Sequence, residues 1–354
     1  MRIKAKEIAQ NLGLSQATVS LALNDRPGVN EKTKKRVLEY VEQQERELWL
    51  EQMHKRESPN GTVLVLNYVK NGVIMGQIEQ YRKQFPDGRT PLMQKMAETV
   101  GESGYRFQYR IFHEQTQKLE TLLGECRQLD VRGIYIMAAE MCPGDMYPFL
   151  QLKVPIVAGD NLFEEGDIDS YLIDNKEGIS RGVRYLVDKG HSHIVYLAEN
   201  ISIFNFEERR EAFLSEMAKR ELGDASNRIW YLGSNVEEVY TAMLSCLDKR
   251  MKGTTAFVLE SSVVSLGVCK ALMERQVRIP RDISLIGFDT LPMHSLLGLE
   301  LTLIKGTHTK RHLAAVKHLV RRMENENEEI MKVYYRTRMI EGNSVFDKKK
   351  YIYQ

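Results

Sequence analysis

The feature that most constrains this chain is an alternation. From Thr62 onward, short strand-like runs are separated by helix-like ones. The strand-like runs are Val63–Val69, Arg106–Phe112, Gly133–Met137, Ile156–Gly159, Tyr171–Ile173, Ile194–Ala198, Ile229–Leu232, Ala256–Leu259 and Ser284–Phe288. Helix-like runs lie between or after them at Leu92–Ser103, Gln117–Gln128, Lys176–Lys189, Glu208–Leu222, Glu237–Lys252, Val263–Glu274 and Lys310–Glu324. Such alternation gives parallel sheets with helices on both faces. The strands suffice for two such sheets with a ligand-sized cleft between them, beyond the strands' carboxyl ends. The longest apolar stretches, such as Thr62–Leu66 and Ile194–Leu197, are strand-length. None approaches the roughly 18 residues a membrane span needs.

The first 60 residues follow another pattern. Lys4–Asn11 carries helix formers with an apolar stripe of Ile8, Ala9 and Leu12, and Gly13 suits a turn needing positive φ. Ser15 is placed to cap a second helix over Gln16–Leu23, which turns Val19, Ala22 and Leu23 inward and leaves Gln16, Ala17, Thr18, Ser20 and Leu21 more exposed. Pro27-Gly28 breaks the chain, and Asn30 caps a third helix with Val37, Leu38 and Val41 inward. Three short helices with a glycine in the first turn form a helix-turn-helix, whose second helix enters a DNA major groove. The first 36 residues hold eight basic residues (Arg2, Lys4, Lys6, Arg26, Lys32, Lys34, Lys35, Arg36) against Glu7, Asp25 and Glu31. That imbalance suits a polyanion, although charge alone fits a solvated helical face equally well.

The run Ala5–Asn24 resembles the LacI/GalR family headpiece, approximately D-V-A-x-x-A-G-V-S-x-x-T-V-S-R-x-L-N, with matches at Ala9, Gly13, Ser15, Thr18, Val19, Ser20, Leu23 and Asn24. Val29 and Thr33 fit the V-x-x-x-T that follows. The resemblance implies a sequence-specific DNA-binding regulator, a repressor acting as a homodimer on a pseudo-palindromic operator. It implies phosphate contacts for Ser15, Thr18, Ser20, Asn24 and Thr33, with Lys4 and Asn30 in the same interface, and base contacts for Gln16 and Ala17. Leu21 stands where the family usually has Arg, so a guanine contact is lost or another base is read.

The resemblance continues through Ile173-Asp174-Asn175-Lys176-Glu177-Gly178 (V-D-N-x-x-G), Gly190–Ile194 (G-H-x-x-I), Arg278–Asp289 (V-P-x-D-I-S-V-I-G-F-D) and Leu301–Ile304 (L-T-T-I), with Arg338–Ser344 resembling the closing strand. It implies a two-lobed, periplasmic-binding-protein-like sensor that binds a small effector, a sugar or sugar derivative, through Asp160, Arg209 and Asp289. Ser261 lies in Glu260-Ser261-Ser262 where relatives have A-N-D, and Thr290 replaces the second Asp of the usual D-D pair. Asp160 could instead only cap a turn.

The expected domains are a headpiece at 1–45, a helical linker at 46–60 and a sensor at 61–354. Its first lobe would take about 61–160 plus 306–324, and its second about 161–305 plus 325–347. The linker lacks the family's Pro-Asn and Ala-Arg, and Leu48, Trp49 and Met53 either pair across a dimer or pack on their own headpiece. The inserted stretch Asn71–Thr90 either covers the effector or is a surface excursion.

No G-x-S-x-G, P-loop or H-E-x-x-H occurs, so neither an enzyme nor a cofactor is expected. Cys126, Cys142, Cys246 and Cys269 are far apart, which argues against structural zinc and disulfides. His308, His312 and His318 read as exposed helix histidines rather than metal ligands. The opening MRIKAKEIAQNLG lacks a signal peptide's apolar core, so the expected place is the bacterial cytoplasm, at the nucleoid. Two other readings stand beside the regulator with a small effector: a ligand-binding or uptake component, and a regulator whose sensor answers to a protein or to nothing. The atypical linker predicts less minor-groove kinking than in typical relatives, and a sharp central kink in a DNA-bending assay would overturn that.

Overall fold

The structure is a computed structural model that describes residues 5–23, 28–30, 33–34, 36–37, 40, 60–70, 91–223, 226–249, 251, 253–289, 298–325 and 328–351. Lys4, Asn24, Thr290, the linker up to residue 59 and the whole insertion, residues 71–90, lie outside these. The chain divides into two compact units, Met1–Pro59 and Asn60–Gln354.

In the first unit, α1 (Ala5–Leu12) and α2 (Gln16–Leu23) are joined through Gly13, whose φ of +65° is the left-handed conformation glycine adopts without penalty. Ser15 Oγ accepts the Thr18 N–H at 3.1 Å and so caps α2. Asn30 Oδ1 accepts the Thr33 N–H at 2.7 Å, and residues 33–34, 36–37 and 40 are helical. Ile8, Ala9, Val19, Ala22 and Val37 form a small core. Leu23, expected inside, is exposed instead, at the last position of a two-turn helix. Arg36 donates to the Leu12 carbonyl at 3.2 Å, and Asn11 to Tyr40 Oη at 2.6 Å, fastening the third helical segment to the turn.

The second unit contains β1 (Thr62–Val69), α3 (Pro91–Glu102), β2 (Arg106–His113), α4 (Leu119–Gln128), β3 (Val131–Met137), α5 (Pro143–Leu150), β4 (Ile156–Gly159), β5 (Ile168–Ile173), α6 (Asn175–Asp188), β6 (Ile194–Glu199), α7 (Phe204–Lys219), β7 (Ile229–Gly233), α8 (Val236–Lys249), β8 (Ala256–Leu259), α9 (Ser262–Glu274), β9 (Ser284–Phe288), β10 (Thr302–Lys305), α10 (His308–Glu324), β11 (Lys332–Tyr335) and β12 (Arg338–Ile340). They build two six-stranded sheets, ordered β11-β5-β4-β3-β1-β2 and β12-β10-β9-β8-β6-β7. Among the described residues these strands all pair in parallel except β10 with β12. Helices cover both faces, so the central strands are buried on both sides and read as near-continuous apolar runs.

The lobe boundaries differ from those expected. β5 and β11, assigned to the second lobe, pair with each other and with β4 in the first. Partner choice along a sheet edge is a long-range matter: the Ser170 N–H donates to the Met331 carbonyl, 161 positions later, and no local pattern encodes that bond. The chain therefore crosses between the sheets after β5, after β10 and after β11.

The expectation of exposed helix histidines also fails for two of the three. His318 and His312 are buried on α10, the helix that packs across β3, β4 and β5. His318 Nε2 donates to Asp169 Oδ1 at 2.9 Å, and Arg322 donates to Asp169 Oδ2 at 2.8 Å. Asp169 also accepts the Met331 N–H at 2.6 Å, so one fully buried carboxylate ties β5, α10 and β11 together. Removing one partner of a buried ion pair leaves an uncompensated charge. Asp169→Ala should lower stability by roughly 3–5 kcal/mol in chemical denaturation, with Asp169→Asn losing less.

Candidate nucleic-acid interface and effector cleft

On the headpiece, Ser15, Gln16, Ala17 and Ser20 are exposed along α2, Thr18 and Leu21 are half-buried, and Val19 and Ala22 face inward. The structure thus brings Ser15, Gln16, Ala17, Thr18 and Ser20 to one end and side of a single helix, with Asn30 exposed and Thr33 half-buried at the start of the next helical segment. A surface of short polar side chains lets a helix approach phosphates and base edges closely.

In the second unit, two aspartates occupy equivalent places in the two sheets. Asp160 follows β4, the third strand of the first sheet, and Asp289 follows β9, the third strand of the second. Both are left-handed, at φ +67° and +65°, a conformation Asp tolerates better than most side chains. Each donates its N–H to the neighbouring strand, Asp160 to Tyr171 O at 3.2 Å and Asp289 to Ile304 O at 2.8 Å. The first turn of α10 reaches both carboxylates. Arg311 Nη2 donates to Asp160 Oδ1 at 2.7 Å, and His308 Nε2 to Asp289 Oδ1 at 3.1 Å. The Gly306 N–H adds a bond to Asp289 Oδ1 at 3.3 Å.

Arg311 is wholly buried, and its Nη1 donates to the Tyr171 carbonyl at 2.9 Å. Burial disfavours charge on Asp160, yet Arg311, with His308 farther off, holds its carboxyl below the ordinary value. Burial also opposes charge on Asp289, but His308, Arg209 and the Gly306 N–H lower its pKa to about 2. Burial, with Arg311 beside it, depresses His312 to about 3, so that ring is neutral. Arginine only donates, so at 3.3 Å His312 Nε2 is the acceptor. The neutral ring then carries its proton on Nδ1 and donates to Tyr135 Oη at 2.5 Å. Gly159 makes room for that phenol, since a Cβ there would collide with it.

Arg209 lies on α7, facing Asp289. Its guanidinium stacks on the Phe288 ring at 3.4 Å, and Nη2 stands 3.9 Å from Asp289 Oδ2. Nε donates to Asn175 Oδ1 at 2.9 Å and Nη1 to the Glu260 carbonyl at 2.8 Å. Asn175 passes the network on, donating to Asn205 Oδ1 at 2.8 Å and Glu208 Oε2 at 3.0 Å. Asn205 in turn donates to the Asp160 carbonyl at 3.2 Å, a bond from one lobe to the other. Asp160, Arg209 and Asp289, far apart in sequence, therefore converge at the carboxyl ends of parallel strands between the two sheets.

A model described as bacterial regulatory proteins, lacI family, matches residues 4–45, and one described as a periplasmic binding protein-like domain matches residues 183–345. The chain is a transcriptional regulator of the LacI family. It carries a helix-turn-helix and a periplasmic-binding-protein-like sensor, and it is not an enzyme. Similar proteins include the HTH-type transcriptional repressor PurR of Edwardsiella ictaluri, 24% identical over 97% of this chain and 96% of that protein. PurR of Glaesserella parasuis is 26% identical over 92% and 91%. Among solved structures, a CelR–cellobiose complex covers 97% of this chain and all of its own, with a TM-score of 0.67 and 18% identity. An Enterococcus faecium LacI-family regulator with bound ribose covers 80% of this chain and 99% of its own, with a TM-score of 0.63 and 18% identity.

Two features of this LacI-family chain were not legible from motifs. Ser261 is buried. Its hydroxyl donates to Glu199 Oε1 and accepts the Val264 N–H at 3.2 Å as the cap of α9, so it belongs to the second lobe's interior. Behind it lies a buried carboxylate pair. Glu260 is held by Arg210 at 2.7 Å and accepts the Glu199 N–H at 2.7 Å, while burial raises Glu199 to about 7. Only the departure at Glu260-Ser261-Ser262 hinted at this. Among the described residues no helix is long and apolar enough to cross a membrane.

A carboxyl that holds its proton more tightly when folded contributes stability below its ordinary value of 4.5, and that stability is lost as the pH rises through about 7. Glu199→Gln should remove that loss. The variant should gain roughly 1–3 kcal/mol over the parent between pH 5 and pH 8, read as the difference in urea-denaturation stability at the two pH values.

Proposed function

We propose that the chain is a repressor that binds a pseudo-palindromic operator as a homodimer, and that a small polar molecule held between Asp160, Arg209 and Asp289 changes its affinity for DNA. The observation carrying the DNA half is the capped α2, with Ser15, Gln16, Ala17, Thr18 and Ser20 gathered on its outer side. The relatives' description as transcriptional repressors supports the same sign of regulation. Lys4, Asn24, Asn30 and Thr33 complete the phosphate-facing set, and Leu21 takes an apolar contact in place of a guanine reader. The domain plan that fits is a headpiece to about residue 45, a linker to 60 and a sensor beyond it.

The convergence of two aspartates and an arginine between the sheets supports the effector half. Carboxylates and a guanidinium offer fixed hydrogen-bond geometry to hydroxyls. Two solved relatives with this fold are complexes with cellobiose and with ribose, and a sugar or sugar derivative is the effector class we favour. Binding would be coupled reciprocally to operator affinity.

A second reading has its own observation. The same polar groups already satisfy one another, Asp160 through Arg311 and Arg209 through Asn175 and Glu260, which favours a sensor that answers to a protein partner or to no small molecule. Thermal shift of the full chain against sugars, sugar phosphates and nucleobases separates the two. Stabilisation that Asp289→Asn weakens supports the effector reading, whereas no stabilisation by any compound supports the second.

For DNA, the operator would first be selected from a random duplex library. Gln16→Ala should then weaken binding by about 1–3 kcal/mol and relax preference at one base of each half-site. Equal loss on all sequences would instead make Gln16 a phosphate contact.

A further inference from the structure

The two left-handed aspartates are equivalent in place but not in counter-charge. Asp160 is paired with Arg311, which stays protonated at any pH the protein meets. Asp289 is paired with His308, whose ordinary titration lies near neutrality. His308 is also the first residue of α10, directly after the Gly306-Thr307 crossing from the second sheet to the helix that covers the first. Asp289 Oδ1 binds both ends of that crossing, the Gly306 N–H and the His308 ring. We propose that His308 and Asp289 form a proton-operated latch on the inter-lobe crossing, so that protonation of His308 fastens β9 of the second lobe to the start of α10 on the first.

The groups facing His308 fix the direction. The Asp289 carboxylate is its direct partner and raises its proton affinity above the ordinary 6.5; burial opposes this, Arg311 repels the added charge and Asp160 favours it. His312, 6.5 Å away and nearly parallel, remains neutral and does not compete for the proton. Arg209, 3.9 Å from the far oxygen of Asp289, keeps that carboxylate ionised when His308 is neutral. The ring is about half exposed (48%), so protons reach it from solvent. The latch is therefore complete below pH 6.5 and is lost as the pH rises through the raised His308 value. It needs no effector, and so it stands or falls separately from the effector reading.

The test follows the histidine Cε1–H resonances of the ligand-free full chain by NMR across pH 5 to 9, with the His308 signal identified by its absence in His308→Gln. The expected midpoint for His308 lies above 6.5 and moves down by at least half a unit in Asp289→Asn. A midpoint at or below 6.5 in the parent, or one that Asp289→Asn leaves in place, overturns the proposal. Thermal unfolding of the same proteins gives a readout independent of assignment. From pH 6 to pH 8.5 the parent should lose about 2–4 °C relative to His308→Gln. Parallel profiles for the two would overturn the latch even if His308 titrates as expected.

Discussion

The sensor depends on the contacts made by the first turn of α10. That turn places Arg311 against Asp160 and His308 against Asp289, so one short stretch of helix binds the carboxyl ends of β4 and β9 in two different sheets. Both aspartates adopt a backbone conformation that costs energy for a residue with a Cβ, and such conformations persist where surrounding bonds over-determine them. Here the bonds run from each aspartate's own N–H to a strand carbonyl on one side and from its carboxylate to a basic side chain of α10 on the other. A helix N-terminus is also a favourable place for carboxylates, because its dipole and free N–H groups favour negative charge. Three long-range links, β4 to α10, β9 to α10 and the crossing between the lobes, thus share one set of charged groups.

The consequence is that the charged groups between the sheets are balanced among themselves. Arg311 neutralises Asp160, His308 and Arg209 face Asp289, and Arg210 neutralises Glu260 behind Ser261. Burial makes the Arg311–Asp160 and Arg210–Glu260 pairs strong and an unpaired charge there expensive.

The headpiece works on a smaller energetic scale. Among the described residues its core holds Ile8, Ala9, Val19, Ala22 and Val37, supplemented by two caps and by the bonds from Arg36 and Asn11 across to neighbouring helical segments. The small polar residues on the outer side of α2 ask for no burial of their own.

Much of this was determined locally and was readable. Gly13, the Ser15 cap and the Val19–Ala22 stripe set the first two helices, and β4, β8 and β9 begin and end at the residues their apolar runs indicate. Propensity, capping and period act within a few residues, so a single sequence contains them. The motifs around Asp160, Arg209 and Asp289 also singled these residues out in the sequence, as candidates for the site proposed above. What tertiary structure alone decided was partnership. It placed β5 and β11 in the first sheet, turned His312 and His318 from a helix surface into its interior, enclosed Ser261 with Glu199, and set Arg311 against Asp160 across 151 positions. Those outcomes depend on which strand edge and which helix face meet in space, and the free energy that selects them comes from burial and charge pairing between segments that carry no local record of each other.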